Sequence, residues 1–191
     1  MDLKHFGDSY DVVKKSLLQW LSTFGLWAAH PMFTHPTSAD QAEEFSRFLG
    51  VPLVSAEVLT GMRDRSEYFK SCHQYHNLFL DPDTGIRLKN IGPRRSTGFI
   101  FAKEMIDLVR VRPQALTMAF DQSLARGRER EQIRSKLVHF ADQGVHGFAY
   151  ASHASFVVLG QSKLLIQQAH AKLLASSALP TNRIVTTSAA N

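Results

Sequence analysis

The sequence predicts an α/β fold, a single three-layer α/β/α domain, Rossmann-like, around a mainly parallel sheet that ends in a C-terminal antiparallel hairpin. Three observations predict it. Short apolar runs alternate with amphipathic stretches of helical length, which is how parallel strands joined by helical crossovers read. The apolar runs are continuous rather than alternating, as strands covered on both faces are. Two late runs, 145–151 and 155–159, are separated only by Ser152-His153-Ala154, which leaves room for a tight antiparallel return and nothing longer.

The elements follow in order. Asp8 or Ser9 caps a helix to about Leu21, with Val12, Val13, Leu17, Trp20 and Leu21 as its apolar stripe. Residues 26–33 read as a short strand stopped by His35-Pro36. Ser38 caps a helix over 39–49 that ends at Gly50. Residues 51–54 make a strand or strand stub, and Ser55 caps a short helix to about Gly61. The polar stretch 62–74 specifies no element.

Asn77-Leu78-Phe79-Leu80 is a buried strand opening into the turn Asp81-Pro82-Asp83-Thr84-Gly85. A basic loop follows, then a helix from about Gly98 or Ala102 to Arg110. Residues 115–120 form the next strand, ending at Asp121-Gln122-Ser123. A helix over about 128–143 stops at Gly144. After the hairpin, a helix runs from Ser162 to about Ser176, Leu179-Pro180 breaks it, and residues 183–185 add a short edge strand. Residues 1–185 thus form one domain, and 186–191, with nothing to bury, a disordered tail.

Composition excludes several classes. A chain of 191 residues can bury roughly 70% of its unfolded surface, so it needs no staple. With 44% hydrophobic and 20% charged residues it is not a disordered chain. No apolar run approaches the ~20 residues of a spanning helix, and Met1-Asp2-Leu3-Lys4-His5 lacks a secretory pattern. Cys72 is the single cysteine, which excludes an internal disulfide and a multi-cysteine zinc site. These features point to a cytoplasmic protein without a membrane partner.

The net charge of +5 and a pI near 9.5 point to nucleic acid or nucleotides as partners. Arg87, Lys89, Arg94 and Arg95 form a basic loop. Arg126, Arg128, Arg130 and Arg134 are interleaved with Glu129 and Glu131, the pattern of a solvated helix face.

Ligands of open parallel sheets bind beyond the carboxyl ends of the strands, and this chain places acids there. Asp81 and Asp83 follow one strand and Asp121 another. Together the three carboxylates offer the hard oxygen ligands that Mg²⁺ or Mn²⁺ takes, and a metal so held activates water for phosphoryl chemistry. Lys89, Arg94 and Arg95 would hold phosphate, and Ser123 is a further substrate-binding candidate. The plainer reading makes Asp81 and Asp83 turn formers around Pro82 and Gly85. His153, in the tight connection, can serve as an acid or base. His73 and His76 have a spacing that metal sites use, and Cys72 stands beside Lys70 and His73, which could lower its pKa. Phosphate-loop, dinucleotide, zinc-protease and nucleophile-elbow motifs are absent.

The segment Leu78-Phe79-Leu80-Asp81-Pro82-Asp83-Thr84-Gly85-Ile86, with Gly7-Asp8-Ser9-Tyr10-Asp11-Val12-Val13-Lys14 upstream, resembles the pattern of an uncharacterised bacterial family. That resemblance spans most of the chain and implies no activity. It marks Asp8, Asp11, Lys14, Asp81 and Asp83 as residues to test, Lys14 as a binding residue. The Asp-x-Asp pattern is partly similar to haloacid dehalogenase-like phosphatases, although Asp-Pro-Asp-Thr-Gly stands where they have Asp-x-Asp-Gly-Thr. The order of elements looks like a class I methyltransferase, which implies S-adenosylmethionine as cofactor. Phe24-Gly25-Leu26 has one glycine where that family has a glycine-rich loop, so such a cofactor site would be degraded. The leading expectation is a metal-dependent phosphoesterase or nuclease-like enzyme. The alternatives are a methyltransferase-like domain, active or degenerate, and a non-catalytic interaction module.

Overall fold

The computed structural model describes residues 1–60, 64–89 and 96–187. Along the chain, α1 (Ser9–Trp20) leads to β1 (Trp27–His30), α2 (Ala39–Leu49), α3 (Arg65–Lys70) and β2 (Asn77–Leu80). Then come β3 (Gly85–Arg87), β4 (Phe99–Phe101), α4 (Ala102–Arg110), β5 (Thr117–Asp121) and α5 (Glu129–Asp142). The chain closes with β6 (His146–Ala151), β7 (Ser155–Gly160), α6 (Lys163–Ser177) and β8 (Ile184–Val185). Among the described residues no helix is long and apolar enough to cross a membrane.

Helix boundaries follow local chemistry. The Asp8 carboxylate accepts the backbone N–H groups of Tyr10 and Asp11 at the start of α1. Ser38 and Gln41 form a reciprocal capping box on α2, and Gly50 ends that helix in the left-handed conformation. Ser162 accepts the N–H of Leu165 to open α6.

The main sheet has six strands in the order β1-β2-β5-β7-β6-β8. β1, β2 and β5 are parallel neighbours, each crossover passing through helix. β7 pairs antiparallel with both β5 and β6, and β8 pairs antiparallel with β6. β6 therefore points the same way as β1, β2 and β5, so the sheet is mixed but mostly of one direction. Successive residues face opposite sides. Leu78, Leu80 and Ala119 join a core with α3, α4 and α5. Phe79, Met118 and Phe120 join another with α1, α2 and α6.

Three expectations need correction. Residues 55–60 form no helix; Leu59 is instead buried and its N–H bonds to the Phe33 carbonyl. The stretch before α4 is not all loop, because β3 and β4 pair as a separate parallel two-stranded sheet. On α1, Val12 is half exposed, while Asp11 and Lys14 share the buried side with Leu17 and Leu18. Charge enters that face because the two side chains neutralise each other.

Gly85 ties the small sheet to the large one. Its φ is +136°, and a Cβ there would overlap Asp121 Oδ1. Gly85→Ala is expected to cost about 1–3 kcal/mol for the backbone alone, plus the displacement of Asp121. Chemical denaturation would check this, and a change within error of zero would contradict it.

Candidate functional site

Because β1, β2 and β5 run in register, His30, Leu80 and Ala119 lie side by side, and the residues after them meet at one edge. The Asp81 N–H continues the ladder, donating to the His30 carbonyl at 3.0 Å. A cavity of about 250 Å³ opens at this edge. Asp2, Asp8, Asp11, Asp81 and Asp83 line it, with Tyr10, Lys14, Phe120 and Gln122.

Its floor is a buried ionic triad. Lys14 Nζ donates to Asp11 Oδ1 at 2.8 Å and to Asp81 Oδ2 at 2.9 Å, and lies 4.8 Å from the centre of the Phe120 ring. Asp11 is fully engaged, since its Oδ2 accepts the Gly7 N–H at 2.9 Å. Asp81 is not. Its side chain is 98% buried, yet among the described residues Oδ1 accepts no hydrogen bond and the residue lines the cavity. Asp83, exposed at the rim, likewise has no hydrogen-bond or ion-pair partner among the described residues.

Two carboxylates on one ammonium leave one surplus negative charge. Burial pulls the Lys14 ammonium down, but Asp81 and Asp11 outweigh it and the pKa ends above the ordinary lysine value. Burial drives the Asp81 carboxyl above the usual carboxylate range, against the opposing pull of Lys14. The Met1 amine, at the cavity wall, donates to the Met32 carbonyl at 2.8 Å, and burial holds its pKa below the ordinary value.

Aromatic rings flank the acids. Tyr10 stands edge-on to Phe120 at 5.8 Å and packs against His153 at 4.6 Å between ring centres. His153, in the β6–β7 connection, is thus brought to the cavity through Tyr10.

Asp121 does not join Asp81 and Asp83. It is fully buried, with Lys136 Nζ at 2.6 Å from Oδ2, while its Oδ1 accepts from the N–H groups of Ile86 and Ser123 and from the Ser123 hydroxyl. Ser123 also accepts from Lys136 at 2.9 Å. With Asp81 paired to Lys14 and Asp121 to Lys136, the carboxylates expected to share Mg²⁺ or Mn²⁺ are not assembled as a ligand set. Among the described residues, no group of three or more His, Cys, Asp and Glu side chains is placed to hold a metal ion. His73 and His76 complete none. No catalytic step through a metal follows from these residues.

The remaining candidates disperse. Lys89 is exposed and lines a second cavity with Ser123. Arg94 and Arg95 lie outside the described residues, as do residues 188–191 of the expected tail. Burial pushes the Cys72 thiol up to about 12, so it is not an activated nucleophile and the expectation from Lys70 and His73 is overturned. Gly25 sits before β1, at the opposite end from the cavity, and the chain after β1 reads Pro31-Met32-Phe33-Thr34 without glycine.

Sequence reasoning missed Tyr10, Phe120, Gln122 and Lys136. A signal existed for Lys14: positions 11, 14, 17, 18 and 21 fall on one helical stripe, so a charged pair on the apolar face was there to be read. The chain matches no family model, no curated protein and no solved structure.

Proposed function

We propose that the cavity at the ends of β1, β2 and β5 binds an amino-bearing heteroaromatic ring of the nucleobase type, with Asp81 accepting its hydrogen bond or its proton. The observation that carries this reading is the unpaired Oδ1 of the otherwise buried Asp81 facing a cavity with aromatic residues in its wall. A carboxylate oxygen without a protein partner at a cavity wall is an acceptor that a ligand N–H can fill with a charge-assisted hydrogen bond. Asp83 offers a second acceptor and the Gln122 amide both a donor and an acceptor. Tyr10 and Phe120 favour a planar occupant. A volume of about 250 Å³ is below the range usual for drug-sized ligands, which limits the occupant to a small one.

We read the surrounding architecture as a three-layer α/β/α, Rossmann-like sandwich closed by the β6–β7 hairpin, and the protein as cytoplasmic. A second reading rests on the same acidity. S-adenosylmethionine carries an adenine amine, an ammonium and a sulfonium, and a methyltransferase-like domain would present acids to them. The absence of glycine after β1 weighs against it.

The test is thermal unfolding with adenosine or cytidine, which carry an exocyclic amine, and with inosine or uridine, which present a carbonyl there. S-adenosylmethionine and Mg²⁺ are added separately. A ligand at 100 times its dissociation constant adds about 2.7 kcal/mol, a clear shift. Adenosine or cytidine should stabilise and inosine or uridine should not; equal shifts, or none, would sink the reading. A shift with S-adenosylmethionine alone would promote the methyltransferase.

The pH dependence has a definite sign. Binding to ionised Asp81 should weaken as pH falls through a value above the ordinary carboxylate range, because burial has raised that pKa. For the free protein, Asp81 favours the fold most below the ordinary carboxylate value, and that contribution is lost as pH rises through its raised pKa. Titrating affinity against pH checks both; a midpoint at or below the ordinary carboxylate range would contradict them.

A further inference from the structure

The 121–123 turn separates two cavities of opposite charge. Gln122 lines the acidic one, and Ser123 lines a second of about 470 Å³. Arg87, Lys89, Gln132, Ser135 and Lys136 also line the second, and among the described residues no carboxylate does. Lys136 is buried and neutralised by Asp121, so the attraction for an anion comes from Arg87 and Lys89, both exposed. The Arg87 guanidinium is held 4.5 Å from the Phe99 ring, leaving its fork of donors for a ligand. The hydroxyls of Ser123 and Ser135 and the Gln132 amide add neutral polar groups.

We propose that this second cavity is a phosphate subsite, so that the ligand of the domain is a nucleotide or a nucleotide strand rather than a free base. The inference rests on the reading of the acidic cavity. A single molecule that satisfies both must join an amino-bearing ring to a strongly anionic group, and a phosphorylated nucleoside does so. Gln122 and Ser123 are neighbours in the chain, so the two cavities are lined from adjacent positions of one turn.

The test compares adenosine, adenosine monophosphate, inorganic pyrophosphate and a short oligodeoxyadenylate on the wild type and on Arg87→Glu/Lys89→Glu. The monophosphate should bind roughly tenfold tighter than adenosine. The double variant should erase that difference and lose pyrophosphate while binding adenosine as before, which also shows that it is folded. Equal affinities for adenosine and its monophosphate in the wild type, or a difference that survives the charge reversal, would overturn the subsite. Pyrophosphate binding that the double variant loses, with no adenosine binding at all, would keep the subsite and overturn the acidic-cavity reading instead. An oligonucleotide that binds more tightly than the monophosphate, with a steeper salt dependence, identifies a strand as the ligand; equal affinities identify a mononucleotide.

Discussion

Lys14→Met is expected to destabilise the fold by about 3–5 kcal/mol at neutral pH, the usual effect of removing one partner from a buried ionic group. Methionine keeps the length and apolar stem of lysine and removes only the ammonium. Asp11 and Asp81 are then left facing each other without a cation, in a site where each is almost wholly buried. The loss should shrink as pH falls, because both carboxylates bind protons more readily once the cation is gone. In the wild type the raised Lys14 pKa works the other way: its contribution is complete below the ordinary lysine value and is lost as pH rises beyond it. Urea unfolding at acidic and neutral pH separates these effects. A loss independent of pH would mean that Lys14 acts through packing alone.

Lys136→Met is expected to cost a similar ~3–5 kcal/mol, with a different local signature. Asp121 has no solvent exposure, and its Oδ1 holds the Ile86 N–H at 3.1 Å across to the small sheet. Losing the cation strands that carboxylate and loosens its grip on β3. Hydrogen exchange at the Ile86 amide should therefore accelerate more than at Leu80 or Met118 in the interior of the large sheet. Uniform acceleration would show that Asp121 is not the clasp between the two sheets.

The elements legible in the sequence are those whose causes are local. Ser38, Gln41 and Gly50 fix the ends of α2 within one turn of themselves, and Ser162 does the same at the start of α6. β3 and β4 were illegible because each spans only three residues and is held by partners outside itself, among them the Asp121 carboxylate. The site was half legible. Rules about strand ends select Asp81, Asp83 and Asp121 as a group. They do not show that a lysine 67 positions upstream claims Asp81, or that one 15 positions downstream claims Asp121. Those two lysines divide the three carboxylates between two environments, one open to a cavity and the other closed.

The most direct measurement of the central claim is calorimetric titration of adenosine and inosine into the wild type and Asp81→Asn. Asparagine keeps the shape of the side chain while removing the charge that accepts the ligand's amine. The proposed site predicts adenosine binding in the wild type, little or none for inosine, and a loss of adenosine affinity in Asp81→Asn of at least about tenfold, the value of one charge-assisted hydrogen bond. Equal affinity for adenosine and inosine, adenosine binding unchanged in Asp81→Asn, or a preference for an aliphatic diamine over both nucleosides would contradict it.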